Sequence, residues 1–195
     1  MSENKKVWFV SDHHFGHELM RKMRNFETIE EHDQTIIDAH NRVVNKGDDV
    51  YFLGDFVFKS KRHWEYYTQQ LNGNLHLIRG NHDVIGLEGK TKGFAWVKDY
   101  YELKLPNLLS PTWKSDKAIS FVLFHYPMYA WHWNNRGSIH LHGHTHLNLV
   151  TSETIRGKTT DVCVNPRKNW EPYELRDILL MMQEREIFAP DCVNY

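Results

Sequence analysis

Five short clusters of His, Asp and Asn recur along this chain, and each follows a short, mostly apolar run. In order they are Asp12-His13-His14, Gly54-Asp55, Gly80-Asn81-His82-Asp83, the lone His of Phe124-His125-Tyr126, and Gly143-His144-Thr145-His146. The runs Val7–Val10, Val50–Leu53 and Leu75–Ile78 read as buried strands. A strand end is where a sheet can present several side chains to one point, so the clusters demand a fold that gathers strand ends. Nitrogen and oxygen donors without thiolates suit Mn, Fe, Zn or Ni. Asp12, His14, Asp55, Asn81, His125, His144 and His146 are too many ligands for one tetrahedral ion. Two ions sharing one carboxylate fit better.

Spacing supports this. In extended backbone, residues two apart point to the same side, so Asp12 and His14 can reach one ion while His13 points away. His144 and His146 share that spacing. Taken singly, Gly54-Asp55 is an ordinary turn, and a lone His after a strand is more often a structural hydrogen-bonder. The order of the five clusters gives each its weight. His142 adjoins the last cluster but falls outside the pattern.

In this order, Asp-x-His, Gly-Asp, Gly-Asn-His-Asp, an isolated His and Gly-His-x-His resemble the calcineurin-like metallophosphoesterases, over Asp12 to His146. The opening Ser11-Asp12-His13-His14-Phe15-Gly16-His17 further resembles small, capless phosphoesterases of bacteria and their phages. The resemblance implies an α/β fold, a four-layer αββα sandwich of two mixed β-sheets flanked by helices. It implies two divalent metal ions, manganese first. Asp12, His14, Asp55 and His146 would hold one ion, and Asp55, Asn81, His125 and His144 the other, with Asp55 bridging. His82 would be catalytic, giving a proton to the leaving oxygen without binding metal. The implied reaction is hydrolysis of a phosphate ester by a metal-bridging hydroxide.

The chain departs from that pattern at one informative place. Many members carry Gly-Asp-x-x-Asp, whose second Asp orients the catalytic His; here Phe58 stands there. Lys59 stands where Ser/Thr protein phosphatases have Arg. Both differences argue against a protein phosphatase and for a phosphodiesterase, and they leave the orientation of His82 open.

Substrate residues are less determined. His17 faces substrate or is a surface His opening a helix. Arg79 binds phosphate or pairs on the surface, and Asn41 is a further candidate. Between His125 and His144 runs a loop with Trp131, Trp133 and Arg136. Its rings suit stacking on a nucleobase, or else cover a sheet edge. The expected substrate is a small, nucleotide-like phosphodiester. Alternatives are a nuclease acting on DNA or RNA ends, and a non-catalytic metal-binding scaffold.

Bulk properties bound these readings. A length of 195 residues favours one domain, 1–195, with a real core. A formal net charge of −1 gives no reason to expect nonspecific nucleic-acid or membrane binding. The 14 His exceed what structure alone usually requires. Cys163 and Cys192 are too few for a disulfide framework, and Met1–Lys6 lacks a signal peptide's apolar stretch, so a cytoplasmic location is expected. Helices are expected over Ile29–Val44, with Thr28 and Glu31 as a capping box, over Lys61–Leu71 and over Tyr173–Glu186. Ile85–Trp96 reads as a loop. Tyr101–Leu105, Ala118–Phe124, Ile139–Leu141 and Thr159–Val164 read as strands.

Overall fold

The computed structural model describes residues 5–84, 93–105, 118–146, 156–165 and 168–188. It is an α/β sandwich of two mixed sheets with few helices. In the first sheet β1 (Val7–Val10), β2 (Asp49–Leu53), β3 (Asn74–Ile78) and β4 (Trp96–Lys98) run parallel, in the order β4-β3-β2-β1. In the second, β5 (Tyr100–Leu105) is antiparallel to β6 (Ile119–Phe124), and β7 (Ile139–His142) and β8 (Thr159–Asp161) follow in parallel.

Side-chain alternation along these strands builds two apolar cores. Phe9, Tyr51, Leu53 and Ile78 of the first sheet meet Phe121, Leu123, Ile139 and Leu141 of the second. On the other face of the first sheet, Trp8, Val10, Val50, Phe52 and Leu77 pack on Ile36 and Ile37 of α2 (Ile29–Val43) and Tyr67 of α3 (Trp64–Thr68). Each such side chain contributes about 1.5–3 kcal/mol on burial.

Local signals set most boundaries. The Thr28 hydroxyl accepts the Glu31 N–H at 3.1 Å and starts α2. The Glu31 carboxylate closes on the Glu27 N–H at 2.9 Å, one residue earlier than a capping box requires. The helix expected over 61–71 is confined to α3. The last helix, α4 (Leu175–Gln183), starts late because Tyr173 and Glu174 form an edge strand, β9, antiparallel to Phe9 and Trp8. Its Leu175, Ile178, Leu179 and Met182 enter the core between the sheets. A short helix, α1 (Glu18–Met23), follows the first cluster. Of the loop expected over 85–96, residues 85–92 lie outside the described residues, and Trp96 opens β4.

Two further features position the site. The expected strand over 159–164 ends at Asp161, and the chain then crosses to the first sheet. There Ser11 N–H donates to Val162 O at 3.0 Å and Val164 N–H to Ser11 O at 3.0 Å. This joins the ends of β1 and β8, so the clusters after the C-terminal ends of parallel strands from both sheets converge, the usual ligand position in α/β folds. Over the outer face of the second sheet, where an αββα sandwich carries helices, lies segment 126–138. Trp131 packs on His140 with centroids 5.4 Å apart, and His132 pairs with Glu102 of β5 at 2.8 Å. Among the described residues, no helix is long and apolar enough to cross a membrane.

Candidate metal centre

β1, β2 and β7 deliver their polar clusters through tight turns. Asp12, His14, Asp55, His144 and His146 all have left-handed backbone, with φ of 57°, 51°, 54°, 68° and 48°. The i, i+2 pairs therefore converge through left-handed turns instead of the extended backbone expected from spacing. Left-handed backbone costs a non-glycine residue roughly 1–2 kcal/mol, and such strain concentrates where function requires it. The turns also need glycine. A Cβ on Gly80 would collide with the Asp55 carboxylate, and one on Gly143 with that of Asp12.

The side chains form two groups. Asp12, His14 and His146 bring ligand atoms together in one, and Asp55, His125 and His144 in the other; each group could hold a metal ion. Asp12 Oδ1 lies 3.7 Å from His146 Nε2 and 3.9 Å from His14 Nε2. Asp55 Oδ2 lies between the groups, 3.5 Å from His14 Nε2 and 3.6 Å from His125 Nε2. Asn81 joins the second group, its Oδ1 3.1 Å from His125 Nε2. His125 Nδ1 donates to Leu53 O at 2.8 Å, which leaves Nε2 for the site.

The electrostatics suit cations. Both ring nitrogens of His14 are buried and neither makes a hydrogen bond among the described residues. Burial, then the nearby His146, lowers the His14 pKa to about 2, so its ring stays neutral and its lone pair free. Burial and the Asp161 carboxylate, with Asp55 beyond it, push the Asp12 carboxyl well above its usual range. Mutually repelling buried carboxylates are stabilised by metal coordination. The donor set and the orphaned His14 nitrogens therefore fit a pair of divalent ions.

His82 borders both groups. Its N–H donates to Asp55 Oδ1 at 2.9 Å, and its ring lies 5.5 Å from that of His14. Phe58 packs against His82 with centroids 3.8 Å apart, and His17 meets Phe58 edge-on at 4.7 Å. The imidazole of His82 makes no hydrogen bond among the described residues. Its neighbour Asp83 turns away and accepts the N–H groups of Asp55, Phe56 and Gly80 at 2.8–2.9 Å. Burial nonetheless raises the Asp83 pKa to about 6.

The substrate candidates separate. His17 lies at the site, its ring 5.5 Å from that of His14. Arg79 is forked onto Asp99 at 2.7 and 3.0 Å on the surface. Asn41 ties α2 to the turn at 70–72. Trp131 is buried and donates from Nε1 to Ser138 O at 3.1 Å, while Trp133 packs near Lys104 and Arg136. These three loop residues lie on the second sheet's outer face because the loop folds back onto His140, whose Nε2 accepts the Met128 N–H at 3.3 Å. The loop ring that does reach the site is Tyr126, with centroids 4.8 Å from His144 and 5.0 Å from His125.

Asp161 was missed by sequence reasoning. It accepts from Thr145 Oγ1 at 2.5 Å and from Cys163 N–H at 2.7 Å, and so holds the turn between His144 and His146. A lone carboxylate inside the strand-like run 159–164 was its only signal.

No family model matches the chain. The uncharacterized protein MJ1445 of Methanocaldococcus jannaschii is 31% identical over 190 residues, covering 94% of each chain. The chain belongs to the family of that archaeal protein. The Gene 66 protein of Mycobacterium phage L5 is 29% identical over 178 residues, 82% of this chain and 86% of the phage protein. The Gene 66 protein of Mycobacterium phage D29 is 28% identical over 197 residues, 91% and 98% of the two chains. Among solved structures, the protein of unknown function AQ665 from Aquifex aeolicus superposes with a TM-score of 0.67 at 21% identity. It covers 91% of this chain and all of its own, a likeness of fold alone.

Proposed function

We propose that the chain is a metal-dependent phosphoric ester hydrolase of the calcineurin-like metallophosphoesterase superfamily, with that superfamily's sandwich fold, and that it prefers phosphodiesters. The observation that carries this is Asp55, whose Oδ2 lies within 3.6 Å of both His14 Nε2 of one candidate ligand group and His125 Nε2 of the other. Asp12, His14, Asp55 and His146 would hold one divalent ion and Asp55, Asn81, His125 and His144 another, manganese first, and the pair would supply charge neutralisation at the phosphoryl oxygens and Lewis acidity toward water.

The chain's own residues do the rest. Asp83 clamps the Gly54–Phe56 and Gly80 turns, so Asp55 and His82 keep one mutual geometry. His82 gives a proton to the leaving oxygen. Phe58 packs against its ring and offers no hydrogen-bond acceptor. An apolar wall beside His82, in place of a charged one, favours a monoanionic diester over a dianionic monoester. Tyr126 presents one ring, 37% exposed, beside His144 for the organic part of the ester.

The test is hydrolysis by manganese-reconstituted protein of an aryl phosphomonoester, an aryl phosphodiester, cyclic nucleotides, a short oligonucleotide and a phosphoserine peptide. The diester should be the best substrate, and Asp55→Asn should lose both activity and bound metal. Protein that holds two ions yet cleaves nothing in the panel would be a scaffold. A phosphoserine peptide cleaved faster than any diester would reverse the stated preference.

A further inference from the structure

Beneath the turn that carries Asp12 and His14 runs a polar chain that the proposed chemistry does not use. Arg24, which follows α1, points inward. Its Nη2 donates to Asp12 O at 2.6 Å and its Nη1 to His13 O at 2.7 Å. The same Nη1 lies 2.9 Å from His32 Nε2. A guanidinium has no acceptor, so Nε2 must accept, and the His32 proton sits on Nδ1. That nitrogen lies 2.7 Å from Asp33 Oδ1. The Asp33 carboxylate in turn accepts the Gly16 N–H at 3.1 and 3.0 Å, and the Tyr67 hydroxyl at 3.0 Å. Tyr67 reaches Ser60 Oγ at 2.8 Å, two residues beyond Phe58.

The chain therefore grips both ends of one turn. Arg24 takes the carbonyls at its start, and Asp33 takes the N–H at its finish. Within that turn Asp12, His14 and Gly16 are all left-handed, with φ of 57°, 51° and 76°. A backbone of this kind persists only where its surroundings over-determine it. His32 is fully buried and Asp33 nearly so, and no catalytic role calls for either. Arg24 touches backbone that leads to Asp12 and His14, and makes no contact with Asp55, His125 or His144.

We infer that Arg24, His32 and Asp33 are positioning residues that hold the 12–16 turn in its left-handed form and so set the affinity of the Asp12–His14–His146 group for its ion. The inference rests on the metal-binding part of the proposed function. It makes an asymmetric demand: disturbing Arg24 should weaken one ion site and spare the other.

The experiment is titration of full-length, metal-free protein with Co²⁺, followed by visible absorption, and with Mn²⁺, followed by calorimetry, beside thermal melting. Wild type should show two sites. Arg24→Met keeps the length but loses all donors, and should weaken one site about 10–100-fold, as losses behind metal ligands do. The Co²⁺ band of that site should change and the other site should stay. Arg24→Lys, whose single ammonium cannot fork onto two carbonyls, should fall between. Should Arg24→Met not fold, Asp33→Asn takes its place, since its one amide oxygen can still accept from Gly16 and Tyr67 while its NH2 cannot accept from His32. A folded variant with both sites and both bands as in wild type would overturn the inference. So would equal weakening of both sites in proportion to lost melting temperature. Wild type that takes up no divalent ion would instead sink the metal reading itself.

Discussion

The imidazole of His82 packs on the Phe58 ring and has no carboxylate hydrogen-bonded to it among the described residues. If it acts on the leaving group and not on the ions, His82→Ala should keep both metals and lose about 10²–10⁴ in kcat. The loss should shrink on an ester with an activated phenolate leaving group; metal analysis and a leaving-group series check both points. Loss of an ion would make His82 a ligand. The candidate ligands were legible because each stands at a fixed place in a short run after a strand, and the folded chain brings Asp12, His14, Asp55, Asn81, His125, His144 and His146 together. Asp161 and Arg24 were not legible, because their importance lies in what they touch across the fold. Asp83 was visible in its cluster, but its three backbone partners were not.

At the scale of elements, α2 owes its start to a single hydroxyl. Thr28→Ala should cost about 0.5–2 kcal/mol of unfolding free energy, measurable by urea titration, with metal content unchanged. Segment 126–138 makes a sharper case. Its rings suggested a base-binding loop, yet aromatic content does not say which way a loop turns. Hydrogen bonds to His140 fold it over the second sheet. Trp131→Ala should therefore cost about 3–5 kcal/mol, the range for emptying a large aromatic site. It should change activity on nucleotidic and aryl diesters alike. A selective rise in KM for nucleotides would return this loop to substrate binding. The missed β9 and β4 teach the same lesson: Tyr173–Glu174 and Trp96–Lys98 are too short to carry a pattern, and they are strands only because β1 and β3 offer free edges.

At the scale of the whole molecule, the many histidines make the fold sensitive to acid. His40 Nε2 donates to Asn72 O at 2.8 Å, so its Nδ1, buried and without a partner, would have to take any proton. Burial lowers its pKa to about 4, and that of His140 to about 3, with His142 adding to the latter. Both folded values lie below that of an unfolded His, about 6.5. The unfolded chain then binds protons that the folded chain refuses. What these two histidines withhold from stability is nil above about pH 6.5 and grows as the pH drops toward their folded values, while the raised carboxyl of Asp83 acts in the opposite direction. For His40 the loss is on the order of 3 kcal/mol. Urea unfolding of metal-free protein at pH 7, 5.5 and 4.5 checks this by difference: relative to wild type, His40→Gln should gain stability as the pH falls.

The His144 N–H donates to the Asp12 carboxylate across 132 residues of chain, and Ser11 is bonded to Val162 and Val164 beside it. The site is thus a closure between two segments of the chain more than a hundred residues apart. Ions seated there would act as a reversible cross-link around a very long loop, whose closure is entropically costly for a free chain. Their removal should show first as haste: chelated protein should unfold faster under a fixed denaturant concentration, while the early steps of refolding, made before the two segments meet, keep their rate.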